Sequence, residues 1–294
     1  MEPFPNPLFL RIGSSSLWVC HDLDGDPDLR LLADPDLLLA GPVCRIIKDQ
    51  RKIKVGLITM EIGGRPRGIY LKRYNVFSWR YRLGSLFAQS AALRSWAGAK
   101  ILMRAGFHTG QPIAAIECRS WGMLTKSFYL SEEIVRGETV DAYWREEIMP
   151  KKGTDGFRRR RDFLKGLARL FRSLHESNIY HNDLKDANIL VSVGNQQREE
   201  SFYLLDLEGI RGYRYLNRRR RIKNLVQLNR TMGMLLRRAE KLCWLKAYLG
   251  DIFFSRGERR KWIRGVQKMS ARQDRRSSMK ALRITSERRG VHGF

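Results

Sequence analysis

Between Tyr180 and Val191 the chain reads YHNDLKDANILV, and no other stretch narrows the possible folds as far. His181, Asp183, Lys185, Asp186 and Asn188 fall within eight positions, and an apolar run follows at once. So many polar groups stay together only on a loop whose ends are fixed by buried elements, because unpaired polar side chains are costly to bury. Upstream, Phe163, Leu167, Leu170, Phe171 and Leu174 recur at the helical period, opposite a face carrying Arg158 to Arg161, Lys165, Arg169 and Arg172. Downstream, the turn-like VGNQQREES leads into FYLL and then DLEG at Asp206 to Gly209. The chain thus passes from an amphipathic helix to a polar loop, through a hairpin, to an acid at a strand end.

This order suits phosphoryl transfer. That reaction needs a carboxylate to orient the attacking hydroxyl, a cation on the moving phosphoryl group, and oxygen ligands for the magnesium that bridges nucleotide phosphates. Asp183 is the candidate for the first task, Lys185 for the second, and Asn188 with Asp206 for the third. Lys72, in the strand-like GIYLKRY, is placed to hold the α and β phosphates, with Arg73 on the opposite side of the strand. His181 is expected to serve structurally, by bonding backbone.

The rest of the pattern has two textures. VCRIIK, KVGLITMEI and GIYLKRY, then PIAAIE and SFYLSEEI, read as five strands, with a helix over Ser90 to Ala105 after the third. Beyond Gly137 the pattern is mostly helical, with further helices expected near 222–238, 241–254 and 258–269 and a frayed basic tail from 271. The first 42 residues hold seven acids against Arg11 and Arg30, and are expected to form an acidic extension before a small lobe (43–135) and a larger one (136–270). Asp22, Asp24 and Asp26 resemble a calcium loop, but Pro27 and Ala33 stand where its glycine and bidentate glutamate belong.

Over the whole chain 56 Lys and Arg face 30 Asp and Glu, a net charge of +26. A surface this basic attracts anions: a phosphorylated substrate, an acidic membrane leaflet or a nucleic acid. No RNA-binding motif or zinc finger accompanies the charge, so nucleic acid is not the expected partner. The basic run Arg218 to Arg221 with Lys223 is a candidate for binding substrate phosphates, or else a solvated helix face. Cys20, Cys44, Cys118 and Cys243 lack metal or disulfide spacing and are expected to be reduced thiols of a cytosolic protein. With no long apolar run and no basic leader before an apolar stretch, the chain is expected to lie on a membrane surface rather than span it.

The loop, the strand lysine and the later aspartate resemble the protein-kinase-like superfamily, whose catalytic loop reads H-x-D-L-K-x-x-N. Within it, YLKRYN, the Ser90 to Trp96 stretch, ILMRAGFHTGQPIAAIE, LLDLEGIR and RRRRIKNLVQLNRTM are similar to the bacterial lipopolysaccharide core kinases, which phosphorylate heptose or Kdo sugars. The resemblance implies an α+β, bilobal protein-kinase-like fold with an antiparallel-sheet N-lobe carrying one helix and a mostly helical C-lobe. It implies ATP and Mg²⁺ as cofactors, a lipid-linked core oligosaccharide as substrate, and a place on the anionic cytoplasmic face of an inner membrane. Adenine would meet the backbone of Glu132, Glu133, Ile134 and Val135, and the turn Asp49 to Lys52, with Lys48 beside it, would cover the phosphates.

Three departures from the pattern stand out. Asn182 replaces the loop arginine, no glycine-rich loop precedes Lys72, and no acid occurs from Arg73 to Ile116, so the helix there cannot supply the partner that Lys72 would have. Gln89, Glu61 and Glu117 are the sequence's substitutes for that partner. A nucleotide-binding pseudokinase scaffold is therefore the second reading. A protein kinase is the third, disfavoured because little chain separates Asp206 from the basic helix for docking a peptide.

Overall fold

A computed structural model of the chain describes residues 7–20, 27–62, 64–194 and 200–290. Their contacts divide into two units, Met1–Val140 with Asn188–Gly212, and Asp141–Ala187 with Tyr213–Phe294.

The first unit is built on strands β1 (Leu8–Ile12), β2 (Ser15–Val19), β3 (Arg45–Asp49), β4 (Ile53–Ile62), β5 (Arg65–Asn75), β6 (Pro112–Ser120) and β7 (Met123–Glu132). They form one sheet in the order β1-β2-β6-β7-β5-β4-β3, with every neighbouring pair antiparallel. Five of the seven are the strands expected from sequence. The other two correct the reading of residues 1–42 as an extension: β2 pairs with β6 from Ser15 opposite Cys118 to Val19 opposite Ala114, and so continues the sheet.

The same segment covers one face of the sheet. A 3₁₀ turn (Pro27–Ala33) and helix α1 (Pro35–Ala40) bring Leu32 and Leu39 into a cluster with Leu17, Ile58, Met60, Leu71, Ile116, Phe128 and Leu130. Burying a leucine in this way contributes about 2 kcal/mol. The segment's acidity also has a use, since Asp36 pairs with Arg73 at 2.8 Å and Lys126 at 2.6 Å, and Asp34 with Lys126 at 3.3 Å. Asp22, Asp24 and Asp26 lie outside the described residues.

After the short helix α2 (Trp79–Gly84) comes α3 (Ala91–Arg104), capped by the Ser90 hydroxyl, which accepts from Leu93 N at 3.2 Å. Its buried residues Ala92, Trp96, Ala99 and Leu102 stand outside the first cluster and pack on β6 and β7. β6 is therefore buried without a break from Pro112 to Cys118. A smaller sheet joins β8 (Glu138–Thr139), β10 (Ile189–Val193) and β11 (Glu200–Leu204), and the segment ends with β12 (Ile210–Gly212). Residues 195–199, within the turn read from VGNQQREES, lie outside the described residues.

The second unit takes in α4 (Val140–Tyr143), α5 (Gly153–Glu176), the strand β9 (Ile179–His181), α6 (Arg218–Arg230), α7 (Arg238–Leu249) and α8 (Arg256–Gly290). The expected stripe of α5 forms its core: Phe163, Leu167, Phe171 and Leu174 are fully buried, with Trp144 5.8 Å from Phe163 and Trp244 5.4 Å from Phe171, ring centre to ring centre.

The three C-terminal helices are shifted from expectation: α6 ends at Arg230 rather than 238 and α7 runs from Arg238 to Leu249 rather than over 241–254. α6 starts at Arg218, because Asn217 caps it by accepting from Arg220 N at 3.0 Å. α8 continues to Gly290, where a frayed tail from 271 was expected. No proline follows Pro150, the residues between are good helix formers, and Arg230 of α6 holds Gln273, Asp274 and Ser277, each at 3.3 Å. Residues 291–294 lie outside the described residues.

Candidate active site

In the first unit the chemistry gathers on β5 and at the end of the β10–β11 hairpin. Strand alternation settles the direction of the two adjacent cations: Arg73 turns to Asp36, whereas Lys72 Nζ lies 2.7 Å from Asp206 Oδ1. In the hairpin Ile189 pairs with Leu204, and Leu205 N donates to Asn188 O at 3.0 Å. Asn188 and Asp206 are thereby brought to one end of it, as the motif requires. Asp206 adopts a left-handed backbone, φ +56°, which aspartate tolerates better than most residues but which still costs free energy.

Glu208 supplies the acid missing from the helix, two residues after Asp206. It is part-buried, its carboxyl is pushed upward by burial, and the charge of Lys72 opposes that rise. Burial also disfavours the Lys72 ammonium, but Tyr74, Asp206 and Glu208 more than offset this and hold it above the usual lysine range. Helix α3 offers a cation instead of an acid, since Arg94 Nη2 lies 3.7 Å from Glu208 Oε2. The helix approaches this turn closely at Gly98, where a Cβ would stand 2.2 Å from Leu207 O. Glu117, one sequence candidate for the Lys72 partner, instead pairs with Arg119 at 2.9 Å.

Lys48 falls on the same row. It is opposite Val55, which is opposite Lys72, so Lys48 and Lys72 share a face two strands apart, about 10 Å. Within 132–135 two backbone amides already have partners in the fold. Glu132 N donates to Gln111 O and Glu133 N to Gly68 O, both at 2.8 Å, so neither amide is available to a base. Ile134 O accepts from Gly137 N at 3.1 Å and Val135 O from Ser192 Oγ at 3.2 Å, while the Glu132 carboxylate is paired with Arg67.

In the second unit Lys185 Nζ lies 2.7 Å from Asp183 Oδ2, so the expected base and its cation are neighbours. The loop around them is held from below. The buried His181 accepts from Asp183 N at its Nδ1, at 3.1 Å, which places the ring proton on Nε2 and gives the histidine the structural task expected of it. Three side chains of α6 complete the frame. Asn224 donates to His181 O at 2.6 Å, Gln227 donates to Asn182 O at 2.6 Å and accepts from Leu184 N at 3.3 Å, and Lys223 reaches Asn182 Oδ1 at 3.2 Å.

The basic run divides by direction. Arg218 and Lys223 line a groove of about 860 Å³ between α6 and α8, with Arg219, Arg220, Lys268 and Arg272. Arg221 does not belong to it, which corrects its assignment to substrate. It turns inward and donates to His175 O at 3.0 Å and Leu216 O at 3.2 Å. Sequence reasoning missed Arg94, Glu208, Asn224 and Gln227. The only signal for the last two was their spacing on one face with Lys223.

Asn188 and Asp206 offer the hard oxygen ligands that Mg²⁺ prefers, and a protein supplies only one or two such groups when nucleotide phosphates complete the shell. Among the described residues there is no group of three His, Cys, Asp or Glu side chains that could hold a metal ion.

Comparison with known proteins agrees with this geometry. A 3-deoxy-D-manno-octulosonic acid kinase of Haemophilus influenzae (strain PittGG) is 30% identical over 133 residues, 44% of this chain and 48% of the relative, so the chain spans about half the length of that curated relative. A solved structure of WaaP in complex with acyl carrier protein matches 83% of this chain and 96% of its own, at 21% identity and a TM-score of 0.56, which shows a shared, protein-kinase-like fold. The model of the lipopolysaccharide kinase (Kdo/WaaP) family matches residues 66–248, from β5 through α7. The chain belongs to the lipopolysaccharide kinase (Kdo/WaaP) family.

Proposed function

We propose that this protein transfers the γ-phosphoryl group of ATP to a sugar hydroxyl of the lipopolysaccharide inner core, working at the cytoplasmic face of the inner membrane. The observation that carries the reading is the Lys72–Asp206 pair at 2.7 Å at the hairpin end shared with Asn188. In this reading Lys72 passes from Asp206 to the nucleotide phosphates as substrate binds, with Glu208 remaining beside it. Asn188 and Asp206 hold Mg²⁺, which when bound neutralises phosphate charge during transfer. Asp183 orients the acceptor hydroxyl and takes its proton, while Lys185 offsets charge on the moving group. The groove carrying Arg218, Lys223 and their neighbours takes the anionic groups of a phosphorylated glycolipid.

Between the two sugars in question, Kdo is the first to try, because the relative that is 30% identical over 133 residues is named a kinase of 3-deoxy-D-manno-octulosonic acid, which is Kdo. The test is transfer of labelled γ-phosphate to purified precursors ending in Kdo or in heptose, by wild type, Asp183→Ala and Lys72→Met. Labelling by wild type alone supports the reading. Nucleotide binding without labelling of any precursor replaces it with the scaffold.

A further inference from the structure

We propose that one rim of the first unit, formed by residues 77–87, Trp121 and the turn at Arg51 and Lys52, docks on an anionic lipid bilayer by placing aromatic side chains among the headgroups. The connection from β5 to α3 leaves Phe77, Trp79, Tyr81, Leu83, Leu86 and Phe87 exposed, Phe87 at 94%, and Trp121 at the β6–β7 turn is 92% exposed. Isolated exposed apolar residues are ordinary, but a cluster of this density marks a surface that another phase or molecule covers.

These side chains are held in place. Ser85 Oγ accepts from Leu124 N at 2.9 Å, and Arg119 Nη1 donates to Gly122 O at 2.8 Å and Ser85 O at 3.3 Å, which ties the connection to the β6–β7 turn. Strand register puts the contributing turns at one end of the sheet: Ile53 is opposite Tyr74, Asn75 opposite Lys126, and Ser120 opposite Met123.

The charge selects the occupant. Lys52 and Arg51 lie 5.3 and 5.7 Å from the Phe77 ring centre and Arg80 lies 5.5 Å from that of Trp79, while no acid occurs from Arg73 to Ile116. Asp49, beside the first turn, is paired with Lys54 at 3.4 Å. Aromatic rings with cations beside them match the interface of a bilayer rich in anionic lipid. Phe77 follows Lys72 by five residues, so Lys72 sits within about 16 Å of the rim. Docking would thus keep the nucleotide-binding face near headgroup level. This last consequence rests on the kinase reading, whereas the surface itself does not.

The experiment is flotation of the full chain with phosphatidylcholine vesicles, with and without phosphatidylglycerol, for wild type and the double variant Phe87→Ser/Trp121→Ser, with tryptophan emission recorded. Wild type is expected to float only with the anionic vesicles and to show blue-shifted emission. The double variant should partition about tenfold less or weaker. Its circular dichroism, and its phosphorylation of a deacylated, water-soluble acceptor, should be unchanged. Equal flotation of variant and wild type overturns the proposal, as does failure of wild type to float or a concentration-dependent dimer that the same variant abolishes. Flotation requires no turnover, so failure of the kinase reading leaves this result legible.

Discussion

Arg94 on α3 and Glu208 in the turn after β11 stand 3.7 Å apart, with the cation on the helix and the acid on the turn. The helix adjoining Lys72 therefore does not need an acid of its own, because the turn that carries Asp206 carries a second carboxylate. Glu208→Gln should lower kcat/KM for ATP by about 10- to 100-fold, mostly through a raised KM, because Lys72 loses the acid that remains when Asp206 binds metal. Arg94→Ala should cost less than about threefold, since a partly exposed pair at this distance is worth under 1 kcal/mol. Steady-state kinetics at saturating acceptor distinguish the two.

Gly98 permits this contact. Replacing it with alanine sets a methyl group against Leu207 O, at 2.2 Å before relaxation, so α3 must retreat from the turn. A loss of roughly 1–3 kcal/mol is expected. Thermal unfolding should fall by several degrees, and kcat should drop with it.

The N-terminal segment should behave as part of the core. Leu39→Ala removes a side chain that is 5% exposed and should destabilise by about 2–5 kcal/mol in urea unfolding. Asp36→Ala, which releases Arg73 and Lys126, should cost nearer 1 kcal/mol, less at high salt.

His175 gives the fold a dependence on pH. It is fully buried, with Nδ1 2.9 Å from the Tyr248 hydroxyl and Nε2 3.1 Å from Asn224 Oδ1. Burial pushes its pKa down to about 4, against the hydrogen bond that Asn224 Oδ1 accepts and with the repulsion of Arg221. An unfolded histidine titrates near about 6.5, so between these values the unfolded chain binds a proton that the folded chain refuses. Its contribution is thus complete above about pH 6.5 and is lost as pH falls toward 4, by roughly 3 kcal/mol at most. Urea unfolding at neutral pH and near pH 5 should show the loss, and His175→Gln should flatten it.

Much of the site could be read from sequence because its residues are close together along the chain or sit on strands with clear alternation. Asp183 and Lys185 lie in one loop, and the alternation of β5 set Lys72 against Arg73. Glu208 was hidden for the opposite reason. Its relation to Lys72 spans 136 positions and depends on where the turn after β11 comes to rest, which no local pattern encodes. Arg221 was misread because charge reports solvent preference on average, whereas its guanidinium bonds two backbone carbonyls. The first two strands were missed because the acids among the first 42 residues suggested an extension, although Leu8, Leu10 and Ile12 alternate.

The pairing of β2 with β6 also bears on how the protein can be handled. A chain begun at Val43 would expose the β6 backbone from Ala114 to Cys118 as an open ladder, beside an apolar face stripped of Leu17, Leu32 and Leu39. An unprotected edge next to bare hydrocarbon is a template for strand addition by other copies. Such a truncation should yield aggregates rather than a smaller soluble enzyme.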